Sequence, residues 1–191
     1  EYEEKIQFCI SEVDRLNHMV DQLLLLARFE NQKQNVKQET IYLNALVLDN
    51  LTRFSEKSEN KKLKIKTEFT EDYYLISDNY LVSIIISNLI SNAIKYSNPN
   101  GEIAIELGKT NDEVTFSITD YGVGIAKNDL DKIFNSFYRS DVSNHPEIKG
   151  TGLGLSIVKR LCDLLRIKIS VESRINEKTK FILQFSSAKL K

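Results

Sequence analysis

Five of the chain's seven glycines fall in two short clusters: Gly122 and Gly124 follow Asp120, and Gly150, Gly152 and Gly154 run into a helical stretch. In a chain otherwise almost free of glycine, this placement demands close backbone approach or positive φ at two defined places. Three glycines leading into a helix amino terminus present backbone N–H groups where the helix dipole favours an anion. A phosphate site and a pair of tight turns both satisfy the pattern, and either cluster alone is weak. The G-x-G-x-G of the second lacks the spacing of a dinucleotide fingerprint, and no strand runs directly into it.

Asp120 adds to the constraint. Val114, Phe116 and Ile118 share one face of a strand, and by period two Asp120 points the same way. A carboxylate aimed at the apolar side needs a partner. An adenine amino group would serve; capping of the following turn is the alternative. A third cluster lies on the helix expected from Asp78 or Asn79 to about Tyr96. Leu81, Ile85 and Leu89 mark its buried side, with Asn88 and Asn92 on or beside that stripe and Lys95 and Tyr96 one turn later. An amide oxygen can ligate Mg²⁺, and a lysine offers a point charge for phosphate. A solvated polar face is the plain alternative, weakened because asparagine is a poor residue inside a helix.

Around these clusters the pattern is mixed. Thr40–Leu43, the alternating Leu63, Ile65, Thr67 and Phe69, and Tyr74–Ser77 read as strands, and Leu46–Lys57 as a helix. Ile103, Ile105 and Leu107 alternate, as do Val114, Phe116 and Ile118, about a turn at Lys109–Asp112, which predicts a hairpin. Residues 121–149 are polar and irregular and contain Pro146; they predict a long loop with a short helical piece, mobile in the manner of a lid. Leu153–Leu165 is helical, and Ile167–Ser173 with Thr179–Phe185 predicts a closing hairpin. Hairpin-joined strands favour a two-layer α+β sandwich over a doubly wound parallel sheet.

Ahead of this domain, residues 1–33 read as one coiled-coil-type helix. Ile6, Val13, Val20 and Ala27 recur every seven residues, and Cys9, Leu16 and Leu23 fall three after the first three. Ile10 and Leu24 widen the stripe, which suits a multi-helix bundle; a helix packed on its own domain is the alternative. Residues 34–38 read as a linker, 39–187 as the main domain and 188–191 as a tail. The 26 basic and 27 acidic residues nearly balance, so no electrostatic excess draws the chain to nucleic acid. Cys9 and Cys162 lie far apart and fit a reducing cytoplasm. The longest apolar run, Leu23–Ala27, is too short to span a bilayer. A first residue of Glu1 rather than Met makes a fragment the expectation, with room for a membrane anchor upstream.

Four stretches, in order, resemble the motifs of sensor histidine kinases. NLISNAIKYS, Asn88 to Ser97, resembles their N box, and DYGVGI, Asp120 to Ile125, their first glycine box. IFNSFYRSD, Ile133 to Asp141, resembles their F box, and GTGLGLSIVK, Gly150 to Lys159, their second glycine box. The resemblance covers roughly residues 40 to 187, and the leading helix is similar to the second helix of the family's dimerisation hairpin. It implies the Bergerat ATP-binding sandwich, shared with gyrase, chaperone and mismatch-repair ATPases, and a requirement for ATP and Mg²⁺. It implies that Asn88 binds Mg²⁺, that Asn92 faces the phosphates, and that Lys95 and Tyr96 lie near the phosphates and nucleotide. Asp120 would read the adenine amino group, with Gly122, Gly124 and Ile125 forming the turn beside the base. Residues 126–149 would be the ATP lid, and Arg139 would act at the γ-phosphate. Gly150, Thr151, Gly152, Leu153 and Gly154 would surround the phosphates, and Thr179 would lie near the adenine. There the sequence departs from the family, with Asn176, Glu177 and Lys178 where a glycine is usual.

The implied function is transfer of the ATP γ-phosphate to a histidine on the dimerisation domain, for relay to a response regulator aspartate. Implied with it are a homodimer when intact, and a cytoplasmic domain of a membrane-anchored sensor. The chain lacks the family's phosphoacceptor histidine with its adjacent acid: His18 is followed by Met19 and Val20 and falls at the outermost heptad position, and His145 lies in the lid. A mechanochemical ATPase of the same fold and a nucleotide-sensing module without catalysis are the rivals. The F box and leading helix argue against the first, and the intact Asn88, Asp120 and motif glycines against the second.

Overall fold

The computed structural model describes residues 36–110, 113–140 and 150–186, with twelve residues between 2 and 24. Outside the described residues lie His18, Leu23 and Ala27, the start of the linker, the lid segment 141–149 with His145, and the expected tail.

The main domain runs β1 (Glu39–Tyr42), α1 (Leu43–Arg53), α2 (Ser55–Asn60), β2 (Lys64–Phe69), β3 (Tyr74–Ser77) and α3 (Asn79–Tyr96). It continues with β4 (Glu102–Thr110), β5 (Glu113–Asp120), a 3₁₀ turn (Lys127–Asp129), α4 (Gly154–Leu165), β6 (Lys168–Arg174) and β7 (Lys178–Phe185). β1 and β3 form an antiparallel pair, and the other strands form one sheet in the order β2-β4-β5-β7-β6. Both expected hairpins, β4–β5 and β6–β7, are antiparallel. β2 and β4 are parallel, a pairing that needs the long crossover through β3 and α3. The architecture is the expected two-layer α+β sandwich.

Two boundaries differ from those read in the sequence. Leu43 opens α1 instead of closing β1; its N–H donates to the Tyr73 carbonyl at 2.9 Å, and Asn44 clamps the same loop by donating to the Glu71 carbonyl and accepting from the Tyr73 N–H. The helix expected over Leu46–Lys57 is two helices, because the chain leaves α-geometry at Phe54 (φ −109°, ψ 9°). The polar SEKSEN stretch then forms the separate helix α2, with Ser58 its buried residue.

α3 is the axis of the helical layer. Ile85, Ile86, Leu89 and Ile90 are fully buried among α1, α4 and the sheet, so the apolar stripe is wider than the three residues that announced it. Polar Asn88, Asn92, Lys95 and Tyr96 occupy the remaining stripe, each half-buried. Asp78 caps the helix, accepting from the Leu81 N–H at 3.1 Å.

The described residues between 2 and 24 are helical. Met19 packs against the domain core, but Ile6, Ile10, Val13, Leu16, Val20 and Leu24 stay 49–57% exposed. The seam therefore is not used up by the chain's own domain. Cys9 is exposed; Cys162 is buried, and burial pushes its thiol up to about 12, far from a reactive thiolate. No helix among the described residues is long and apolar enough to cross a membrane.

Candidate nucleotide site

α3, the carboxyl end of β5, the amino end of α4 and the segment after β5 enclose two adjoining cavities of about 510 and 540 Å³. Asn92, Tyr96, Ile133, Tyr138, Arg139 and Leu155 line both, so the two form one elongated hollow.

At one end Ile125, Leu155 and Phe181 stand around Asp120. Asp120 is 4% exposed, and its Oδ1 is a buried polar atom with no hydrogen-bond partner among the described residues. Burial pushes its carboxyl up to about 7, while the Gly122 amide, its own amide and the Lys61 charge pull the other way. An orphaned buried acceptor at the wall of the hollow needs a donor from a ligand. Gly122 lies just behind, where a β-carbon would collide with the Tyr96 carbonyl. Gly124 turns through φ +68° beside the Arg174 carbonyl, which places the Ile125 N–H on Ser173 Oγ at 2.9 Å. Thr179 pairs with Asp120 across the sheet, and its hydroxyl shares a 2.9 Å hydrogen bond with Ser173. Asn176, in the turn before Thr179, takes the left-handed conformation (φ 56°) that asparagine tolerates better than most residues.

The other end is cationic, lined by Lys57, Lys61, Lys95 and Arg139. Asn88 donates its amide nitrogen to the Ile84 carbonyl at 2.9 Å, and its Oδ1 would lie 2.8 Å from a β-carbon on Gly154. Among the described residues no cluster of His, Cys, Asp or Glu could hold a metal alone. A single amide oxygen fits Mg²⁺ when phosphate oxygens and water complete the shell. Lys95 places its ammonium 4.8 Å from the centre of the Tyr96 ring and against Gly150. Burial, and then the Arg139 guanidinium, hold Lys95 down to about 8. Two cations brought together in a half-buried wall favour an anion between them. Burial pushes the Tyr96 phenol up, which keeps it neutral. Gly150, Thr151, Gly152 and Gly154 line this end; the apolar N-cap of α4, Leu153, makes no side-chain cap, and its N–H donates to the Thr151 hydroxyl at 3.2 Å. The F-box segment rests on this loop, with the Phe137 N–H on the Gly152 carbonyl at 2.9 Å.

Of the residues expected here, all but two line the hollow. Gly122 is behind the wall, and Leu153 is wholly buried in the core, anchoring the glycine loop from below. Sequence reasoning missed Asp129, which accepts from the Tyr138 phenol at 2.7 Å at the rim, and Lys57 and Lys61 at the cationic end. Each comes from an element whose approach to the site depends on tertiary packing.

The two shifted groups set a pH optimum for any nucleotide held here. A base amino group would favour ionised Asp120, so affinity is full above its free value of about 7 and falls as pH drops toward the lower bound-state value. Phosphate would favour charged Lys95, so affinity is full below about 8 and falls as pH rises toward the higher bound-state value. ADP affinity should therefore peak between about 7 and about 8. Calorimetry across that range checks it, with Asp120→Asn removing the acid limb and Lys95→Met the basic one.

The histidine kinase-, DNA gyrase B- and HSP90-like ATPase family matches residues 77–189. The chain is 34% identical over 185 residues to the sensor protein kinase GraS of Staphylococcus aureus, covering 96% of this chain and 52% of that one. It superposes on Acinetobacter baumannii histidine kinase AdeS with a TM-score of 0.80 and 26% identity, covering 96% of this chain and 84% of that one. Histidine kinase ThkA, solved in complex with response regulator protein TrrA, matches at 25% identity and a TM-score of 0.76, over 95% of this chain and 50% of that one. The chain spans between 34% and 52% of the length of the first curated relatives it matches.

Proposed function

The chain belongs to the histidine kinase-, DNA gyrase B- and HSP90-like ATPase family, and from that premise we propose that it is the ATP-binding catalytic domain of a sensor histidine kinase. It would transfer the γ-phosphate of ATP to a histidine on a dimerisation hairpin, for relay to an aspartate of a response regulator. The observation that carries the proposal is the elongated hollow itself, with the partnerless Asp120 Oδ1 at one end and the Lys95 and Arg139 cations beside the amino terminus of α4 at the other.

The base would lie in the Asp120 end, its amino group donating to Asp120 Oδ1, beside Ile125, Gly124 and Thr179. The phosphates would run past Asn92 and Tyr96 to Lys95, Gly150–Gly154 and Arg139. In the transfer, an imidazole nitrogen attacks the γ-phosphorus, and the bond to the bridging oxygen breaks. That oxygen leaves on ADP with the electron pair. Lys95 and Arg139 hold the charge that moves onto the phosphate oxygens, and the glycine loop offers amides without side chains in the way. Mg²⁺, when bound, would sit at Asn88 Oδ1 and neutralise phosphate charge. The open seam of the leading helix supports docking against a histidine-bearing helix and a homodimer. The complex of ThkA with TrrA supports a response regulator as partner.

Incubation with γ-labelled ATP, alone and with a separate histidine-bearing hairpin, separates this function from its rivals. Acid-labile label on the hairpin is expected. Free phosphate without label would indicate an ATPase of the same fold, and binding without either would indicate a sensing module.

A further inference from the structure

Lys61 belongs to none of the four motifs, yet it ends at the site. It caps α2, and its ammonium donates to the carbonyls of Ile94, Lys95 and Ser97 at 3.0, 2.7 and 3.0 Å. These are carbonyls of the last turn and cap of α3, the negative end of the helix dipole, where a cation is favoured. Its own carbonyl accepts from the Asn100 N–H at 2.9 Å, so one residue grips the chain on both sides of the α3 exit. That exit carries the groups that shape the base end of the hollow. The Tyr96 carbonyl accepts from the Val123 N–H at 3.2 Å, and Gly122 packs against it.

Resting on the nucleotide function above, we propose that Lys61 is a positioning residue for base recognition. It holds the carboxyl end of α3 so that the Gly122–Val123 turn, and the Asp120 carboxylate before it, keep their place at the base end of the hollow. Its charge acts on Asp120 as well. Tyr96 from α3 and Asp129, Tyr138 and Arg139 from the segment after β5 line the cavity at Asp120, and the Gly122 amide, the Asp120 amide and, after them, the Lys61 charge draw its carboxyl down against its burial. Removing that cation raises the Asp120 carboxyl further and leaves less carboxylate near neutral pH.

The test is ADP affinity by calorimetry against pH for the wild type, Lys61→Met, Lys61→Arg, Asp120→Asn and the Lys61→Met/Asp120→Asn pair. Lys61→Met should weaken ADP about tenfold near neutral pH and move the acid limb upward, with a smaller loss on the alkaline side. Lys61→Arg keeps the charge and should keep the limb near the wild-type position. In the Asp120→Asn background, Lys61→Met should cost no more than about twofold further. Wild-type affinity and limb in Lys61→Met, or an undiminished loss in the Asp120→Asn background, would overturn the proposal. If Lys61→Met does not fold, Lys61→Gln, which still donates to the helix carbonyls, serves in its place, and an unmoved limb overturns the proposal. A wild-type chain that binds no ADP at any pH would instead remove the nucleotide function on which it rests.

Discussion

Asp120→Asn should weaken ADP binding by about ten- to a hundredfold while raising the stability of the nucleotide-free protein. The first effect is the worth of a hydrogen bond to a charged group, ~1.5–3 kcal/mol, lost when the carboxylate becomes an amide. The second follows from linkage. Burial raises the folded Asp120 carboxyl from 3.8 to about 7, so ionising it opposes folding. That cost grows as pH rises from about 3.8 and is complete above about 7. A neutral asparagine removes it, so the variant's melting temperature should exceed the wild type's at mildly alkaline pH, with the gain shrinking toward acid pH. Opposite signs for binding and stability mark a residue kept for a ligand rather than for the fold. Thermal melts and calorimetry on the same samples check both, and a variant both less stable and unchanged in affinity would show a structural role.

Asn88→Ala should lower phosphotransfer by about a hundredfold, the scale seen when one group that stabilises transition-state charge is lost. Its effect on ADP affinity should be clear with Mg²⁺ and small in EDTA, because Oδ1 is the atom left for a metal once the amide nitrogen is committed to Ile84. The fold should tolerate the change: Asn88 is half-buried and lies on the cavity side of α3 rather than among its core residues. Equal losses in Mg²⁺ and EDTA would assign Asn88 to packing instead.

Much of this site was legible because its signals are short-range. Period-two alternation placed the strands of both hairpins and turned Asp120 inward, where its Oδ1 is buried without a hydrogen-bond partner among the described residues. Glycine clustering marked the two places where backbone comes close to neighbouring groups. What was hidden depends on tertiary packing. The break at Phe54 and the parallel β2–β4 pair, which needs a crossover, are announced by no local pattern. Leu153, which the family resemblance put beside the phosphates, has its side chain in the core, which period and spacing there did not announce. Lys61 carried no signal in the sequence, because its three carbonyl partners lie more than thirty residues along the chain.

The most direct test of the central claim is a structure of the chain with a non-hydrolysable ATP analogue and Mg²⁺. The adenine amino group should lie within hydrogen-bonding distance of Asp120 Oδ1, with the phosphates at the amino end of α4 beside Lys95 and Asn88. An analogue bound elsewhere, or bound with its base at the Lys95 end and nothing on Asp120, would contradict the account.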